Sequence, residues 1–223
     1  TTLNADLVVM PSPRFDIRTT RFPVSMAAEL REVEGVERVQ MFRFSRIVFR
    51  GVPIMAVALE MDSVSQTAAS RPVAGDAREM YRLAARGEGV IVSDNLSQRV
   101  QLELGDVVEI PAPYGVVRLP VVGIIVDYTD QQGAVFMDRA VFVEHWHDDS
   151  VSDFRVFVTP GAAFADVRQR IIDRYAGARQ MFVLTSDESR TYILGIANQW
   201  FGLTPTSVTL VTADRSFLFN LFK

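Results

Sequence analysis

The sequence contains no cysteine and only two histidines among 223 residues. Each scarcity closes off chemistry. Without cysteine there is no disulfide, no thiolate metal site and no thiol nucleophile. A cytosolic protein and a disulfide-free secreted one share that composition, so cysteine usage leaves the compartment open. There is no basic block either: basic residues are scattered, the formal net charge is -4 and the pI is about 5.3. A phosphate backbone finds nothing to grip, which excludes nucleic acid as a partner. The opening TTLNADLVVM lacks an initiator Met, a basic n-region and a signal-type apolar core, which reads as a boundary with further chain before Thr1. The longest uncharged run, Thr191 to Ala213, is long enough for a bilayer, but Asn198, Gln199, Pro205 and its threonines make it a poor solute for hydrocarbon. It is read as no membrane span.

What is present is apolar and periodic. At 48% hydrophobic the chain can bury a core, and its length allows one large domain or two small ones. DLVVM (Asp6 to Met10) is a short β-run closed by PSP, and from Ser25, a fitting N-cap, Ala28, Leu30 and Val33 recur at helical spacing. After Gly35 the pattern turns to strands: VERVQMFRF (Val36 to Phe44), RIVFRG (Arg46 to Gly51) pairing back on it, then PIMAVALE (Pro53 to Glu60). The same grammar returns at DFRVFVTPG (Asp153 to Gly161), followed by a helix with Phe164, Val167, Ile171 and Tyr175 on one stripe and the strand GARQMFVL (Gly177 to Leu184). A β-α-β half, a long interruption and a second β-α-β half predict an α+β, discontinuous ferredoxin-like unit.

The interruption runs from about Gln66 to Ser150. It begins with a polar linker and the helix AREMYRLAARG, then reaches GEGVIVSDNLSQRVQLELGDVVEI (Gly87 to Ile110), where Ser93 or Asp94 caps a helix and Gly105-Asp106 turns the chain. GVVRLP and VVGIIVDY follow the turn PAPYG, then GAVFMD, then a short helix at RAVFVEHW. These elements suit a small, mainly antiparallel or barrel-like β-rich insert.

No constellation argues for catalysis. His145 and His147 in EHWHDDS, beside Asp148 and Asp149, have the residue types of a zinc or copper site, but they read as a polar helix end with Trp146 turned inward and the histidines solvated. Ser93 lies at a strand-to-helix turn without the glycines of a nucleophile elbow, so capping explains it. The glycines of RGEGV lead into a strand with no Lys-Ser/Thr pair and read as turn glycines. Asp127 with Asp130, and Asp187 with Glu188, fall in predicted loops and read as solvated surface. No catalytic, cofactor-binding or metal-binding residue is therefore assigned, and no cofactor is expected.

Three phrases carry a resemblance. Gly87 to Ile110 resembles the core phrase of the MacB-like periplasmic domains of FtsX-like ABC-transporter permeases. There a Gly-Glu/Asp-x-Val-hydrophobic-Val-Ser strand leads to a helix, Leu-x-x-Gly-Asp and a second strand. LPVVGIIVDYTDQQGAVFMDRAVFVEHWHDDSVSDFRVFVTPGA (Leu119 to Ala162) is similar to the second large extracytoplasmic domain of the long, ten-helix permeases. SDESRTYILGIANQWFGLT (Ser186 to Thr204) resembles the helix by which such domains leave for the next membrane span, although the following PTSVTLVTADRSFLFNLFK departs from the apolar helix expected there.

The resemblance implies a porter-type subdomain over 1–65 and 151–190, an inserted β-rich subdomain over 66–150, and an exit helix and tail over 191–223. It implies a non-enzymatic extracytoplasmic domain of a plasma-membrane permease. A cytoplasmic ABC ATPase partner would drive export or extraction of lipids, lipoproteins, peptides or drugs by mechanotransmission, and many members of the family act as dimers. A soluble hydrolase or small-ligand-binding enzyme, and a stand-alone extracytoplasmic adaptor, are the competing readings.

Overall fold

The computed structural model of the chain describes residues 5–11, 21–65, 72–127, 130–175, 181–189 and 191. Strand β1 (Leu7–Met10) is apolar and buried at every position, and β8 (Asp153–Val158) and β9 (Phe182–Thr185) pair with its two edges. On the far side of β8 comes β2 (Val36–Phe49), again antiparallel. The order β9-β1-β8-β2 places each β-α-β half astride a strand of the other, which is the split ferredoxin-like arrangement expected from the order of elements. Helices α1 (Met26–Arg31) and α6 (Phe164–Tyr175) close this part. Met26, Leu30, Val167, Ile171 and Tyr175 pack with Leu7, Val9, Val39, Met41, Phe154 and Val156 in one core. Fully burying each of the larger aliphatic side chains contributes about 1.5–3 kcal/mol.

Several local expectations are corrected. Ser25 makes no side-chain cap, since its backbone is already helical. Phe164, expected on the apolar stripe of α6, is the first residue of that helix and is exposed. The expected break near Ser45 is absent: β2 runs unbroken for 14 residues and pairs with β3 (Val52–Leu59) through the turn Arg50-Gly51. Both turn residues have positive φ, 49° and 78°, the type I′ geometry whose twist matches a two-residue hairpin. Arg50 offsets its left-handed backbone by donating to the Val100 carbonyl at 3.0 Å.

The remaining strands join the same sheet, in the order β5-β6-β4-β7-β3-β2-β8-β1-β9. They are β4 (Val90–Ser93), β5 (Val107–Ala112), β6 (Gly115–Ile125) and β7 (Ala134–Asp138). Within the expected insert β5–β6 and β4–β7 are antiparallel, so it is mainly antiparallel, but it extends the same sheet rather than closing a barrel, and β4–β6 and the junction pair β3–β7 are parallel. Helical connections allow this, because parallel neighbours need a crossover. GVVRLP and VVGIIVDY, read as two strands, form the single strand β6. It changes partner at Pro120, pairing with β5 up to that residue and with β4 from Val121. A residue without an N–H is tolerated where one ladder hands over to the next.

Two further cores flank this half of the sheet. One gathers Ile47, Phe49 and Ile54 with Val108, Ile110, Val117 and Phe142 beneath the β5–β6 hairpin. The other packs α2 (Met61–Ser65) and α3 (Ala77–Ala85) on the opposite face, through Met61, Val64, Met80 and Ala84. The linker residues 66–71, most of the segment expected as an exit helix and the tail lie outside the described residues. A helical turn begins at Ser186, where Thr185 and Glu188 form a capping box: the Glu188 carboxylate accepts from the Thr185 N–H at 2.8 Å, and the Thr185 hydroxyl accepts from the Glu188 N–H at 3.2 Å.

Candidate functional site

Alternate residues of a strand share a face. On one face of β2, Val39 and Met41 belong to the core under α1 and α6, whereas Ile47 and Phe49 belong to the core under the β5–β6 hairpin. Arg43 sits between them on that same face, only 3% exposed. A buried guanidinium requires a counter-charge and acceptors, and the segment joining α5 (Arg139–Trp146) to β8 supplies both. Arg43 donates through Nη2 and Nε to Asp148 Oδ2, at 2.7 and 3.0 Å, and through Nη1 to Ser152 Oγ at 3.3 Å and to the Phe44 carbonyl. Its charge also lies 5.7 Å over the Phe142 ring.

Asp148 is held from every side. Oδ2 also accepts from Arg21 at 2.9 Å, while Oδ1 accepts from the Ser150 N–H and hydroxyl at 3.0 and 2.5 Å. Burial by itself would raise this carboxyl, but the Ser150 and Arg43 hydrogen bonds and the Arg43 charge outweigh it and bring it down to about 2. Burial lowers Arg43, and Asp148 opposes that; both groups remain ionised at neutral pH. The same segment is pinned by its backbone: Ser152 N–H donates to the Phe42 carbonyl at 2.7 Å, and Val151 exchanges hydrogen bonds with Phe22 at 2.8 and 2.9 Å. Arg139, itself buried, donates to the carbonyls of Asp149 and Ser150.

The other passage of the chain, from β3 into α2, is fastened on the opposite face of the sheet, where Phe42, Leu59 and Met61 share a core. Asp138 Oδ1 caps α5 by accepting from Ala140 N–H at 2.8 Å, and its Oδ2 accepts from Met61 N–H at 3.1 Å. Burial raises the Asp138 carboxyl, opposed by these two N–H groups. Gln40 donates to Ser63 Oγ at 2.9 Å, and Glu60 accepts from Met41 N–H at 3.3 Å. Helix α5 therefore touches one passage at its N-terminus and becomes the other at its C-terminus.

The residues singled out in the sequence scatter. His145 Nδ1 lies 3.0 Å from the Val141 carbonyl of its own helix, Trp146 turns inward onto Phe142, and His147 stacks on Tyr114. Among the described residues, no group of three or more His, Cys, Asp or Glu is placed to hold a metal ion. Ser93 is fully buried and makes no cap; its Oγ accepts from Ala134 N–H at 2.8 Å and donates to the Ala134 carbonyl at 3.3 Å, stitching β4 to β7. Asp127 and Asp130, expected in solvent, are buried, and Asp130 pairs with Arg46 at 2.5 Å. Asp148, read as part of a solvated loop, is the anion of the buried layer. Arg43, Ser152 and Arg139 were not singled out; an arginine on the inward register of a long alternating strand was the available signal.

The likeness to known proteins can be set beside this geometry. No protein-family model matches the chain. Over 97% of its length it is 25% identical to the uncharacterised ABC transporter permease protein Rv0987 of Mycobacterium tuberculosis, and it spans 26% of that protein. The periplasmic region of MacB from Actinobacillus actinomycetemcomitans superposes with a TM-score of 0.60 at 11% identity, over 84% of this chain and 91% of that one. The chain has the MacB-type periplasmic fold. The extracellular domain of the noncanonic ABC-type transporter YknZ from Gram-positive bacteria has a likeness to it too, with a TM-score of 0.57, 13% identity, and 81% and 99% of the two chains covered. In this MacB-type fold, Gly87 to Ile110 forms β4, α4 (Asp94–Val100) and β5, so the stretch crosses over β6 from an inner strand of the sheet to its edge. Its helix ends earlier than Leu104, because Gln101 turns left-handed at φ 53°.

Proposed function

We propose that this chain is an extracytoplasmic domain of an ABC transporter permease in the plasma membrane, without catalytic chemistry of its own. Its role is to couple ATP-driven movement to export or extraction of a lipid, lipoprotein, peptide or drug. The observation that carries this reading is the match to a permease protein along 97% of the chain, joined to the fold of periplasmic and extracellular transporter domains. A cytoplasmic ATPase is the partner that the reading requires, acting through the full-length permease.

On this reading residues 1–65 and 151–190 form the porter-like body, residues 66–150 the insert, and residues 191–223 lead toward a membrane span. Movement passes between body and insert through the β2–β3 hairpin and the polar layer of Arg43, Asp148 and Ser152, since packed elements shift as units between discrete arrangements. The hydrolase reading loses its candidate nucleophile, because the Ser93 hydroxyl is buried and bonded to Ala134. The adaptor reading differs in one outcome: crosslinking in cells would recover the chain without an ATPase.

Topology is the direct test, and the absence of cysteine makes this part of the protein silent to thiol reagents. A Gln101→Cys variant of the intact permease, otherwise cysteine-free, is expected to react with a membrane-impermeant maleimide in whole cells. Labelling only after lysis overturns the proposal.

A further inference from the structure

The β5–β6 hairpin folds back along the molecule. Its inner side chains, Val108, Ile110 and Val117, enter the core that holds Phe142 and Trp146, and its tip, Pro113-Tyr114, reaches the end of α5. There the Tyr114 ring stacks on the His147 ring with centroids 3.9 Å apart and planes 18° apart. Neither ring is there to fill a core: Tyr114 is 65% exposed, and His147 is also exposed. His147 holds a left-handed conformation, φ 50°, the cap geometry that ends α5. That backbone is also where α5 stops and the segment to β8 begins, one residue before Asp148.

We infer that the Tyr114–His147 stack is a latch, by which the tip of the β5–β6 hairpin holds the 147–152 passage in the conformation that presents Asp148 to Arg43. The inference rests on the reading of that polar layer as a path for movement and assigns its control to the hairpin. With the latch closed, hairpin, α5 and passage move as one body. With it open, the passage can rearrange while the three cores remain packed.

Hydrogen exchange of the 223-residue chain tests the latch without the transporter. The amides of Ser150, Val151 and Ser152 donate to Asp148, Phe22 and Phe42 and report directly on the passage. Loss of an aromatic stack in Tyr114→Ala is expected to speed their exchange by about two- to tenfold, while amides of β1 and β8 keep their wild-type rates. His147→Asn, which suits the left-handed backbone but removes the ring, is expected to give the same acceleration, and Tyr114→Phe to give none. Unchanged rates in both ring-deleting variants overturn the latch. So does uniform acceleration in all three cores, which would make the stack a prop for the whole fold. Either result leaves the topology test of the permease reading unaffected, so the two ideas fail separately.

Discussion

Replacing Asp148 with asparagine removes one charge and little volume from the layer between the cores. The carboxylate uses both oxygens as acceptors, Oδ2 from Arg43 and Arg21 and Oδ1 from Ser150, and an amide serves only one of those sides. Breaking a buried pair by removing one partner costs about 3–5 kcal/mol. Asp148 keeps 21% of its side chain exposed, so the lower end, about 3 kcal/mol, is expected for Asp148→Asn. Arg43→Met behaves differently. It replaces a 3% exposed cation by an apolar chain of similar length, and leaves Asp148 with Arg21, Ser150 and some water. Its expected cost is about 1 kcal/mol or less. The double variant Arg43→Met/Asp148→Asn is then expected to be more stable than Asp148→Asn alone, by about 1–2 kcal/mol, because no buried charge is stranded. Equilibrium urea unfolding of the four proteins closes the cycle. Additive losses, or an Asp148→Asn variant within about 0.5 kcal/mol of wild type, would refute the pairing argument.

The same carboxylate sets a pH dependence. Its folded value, about 2, lies below the ordinary 3.8, so its contribution, about 2 kcal/mol, is complete above pH about 4 and lost as pH falls toward 2. Acid titration of stability is expected to be shallower over that window in Asp148→Asn, and an identical slope would remove the assignment. Gly133 has φ 112°, and a Cβ there would lie 2.5 Å from Leu96 Cβ and 2.9 Å from Leu96 Cα; Gly133→Ala is expected to lower stability by about 2–4 kcal/mol, because neither strained backbone nor neighbouring backbone can yield. Thermal unfolding checks it, and a loss below about 1 kcal/mol contradicts the packing of α4 on that turn. Ser93→Ala leaves the Ala134 N–H without its acceptor and is expected to cost about 1–3 kcal/mol, with exchange of that amide accelerated. A neutral effect would mean that the hydroxyl does not join β4 to β7.

The fold was legible where local pattern and tertiary demand agree. Strand β1, helix α6 and the order of the two β-α-β halves follow from period and turn residues, because each element buries apolar residues in the one core the two halves share. Strands β2 and β6 were misread as broken, since a serine and a proline look like punctuation in isolation. Ser45 is an ordinary ladder residue opposite Ala56, and Pro120 stands where β6 changes partners. Neither fact is local. The parallel pairings of the insert are hidden for the same reason: which strand lies beside β3 depends on where helices α2 to α4 carry the chain. The candidate site was the least legible part. Asp148 was visible only as one acid in EHWHDDS, and its partner lies 105 positions away. Arg43 was visible only as a cation interrupting an apolar register, Val39, Met41, Arg43, Ile47 and Phe49, whose meaning depends on the strand being unbroken.

That register explains why a costly buried charge is useful there. With an apolar residue at position 43, one face of β2 would be nearly continuous from Val39 to Phe49, and the core under α1 and α6 would extend toward the core under the β5–β6 hairpin. Apolar contacts are non-directional, so a merged core has no preferred plane of division. An ion pair does have one, because Arg43 must meet Asp148, Ser152 and Phe44 in a particular geometry or remain stranded. The layer thus gives up stability that an apolar substitute would supply and defines a boundary between two packed bodies. It also makes that boundary answer to the 147–152 passage, whose residues provide Asp148 and Ser152. A body that moves against its neighbour needs such a boundary more than it needs a tighter core. The polar residues at this plane come from the middle of β2 and from the passage out of α5, a connection any relative movement must strain.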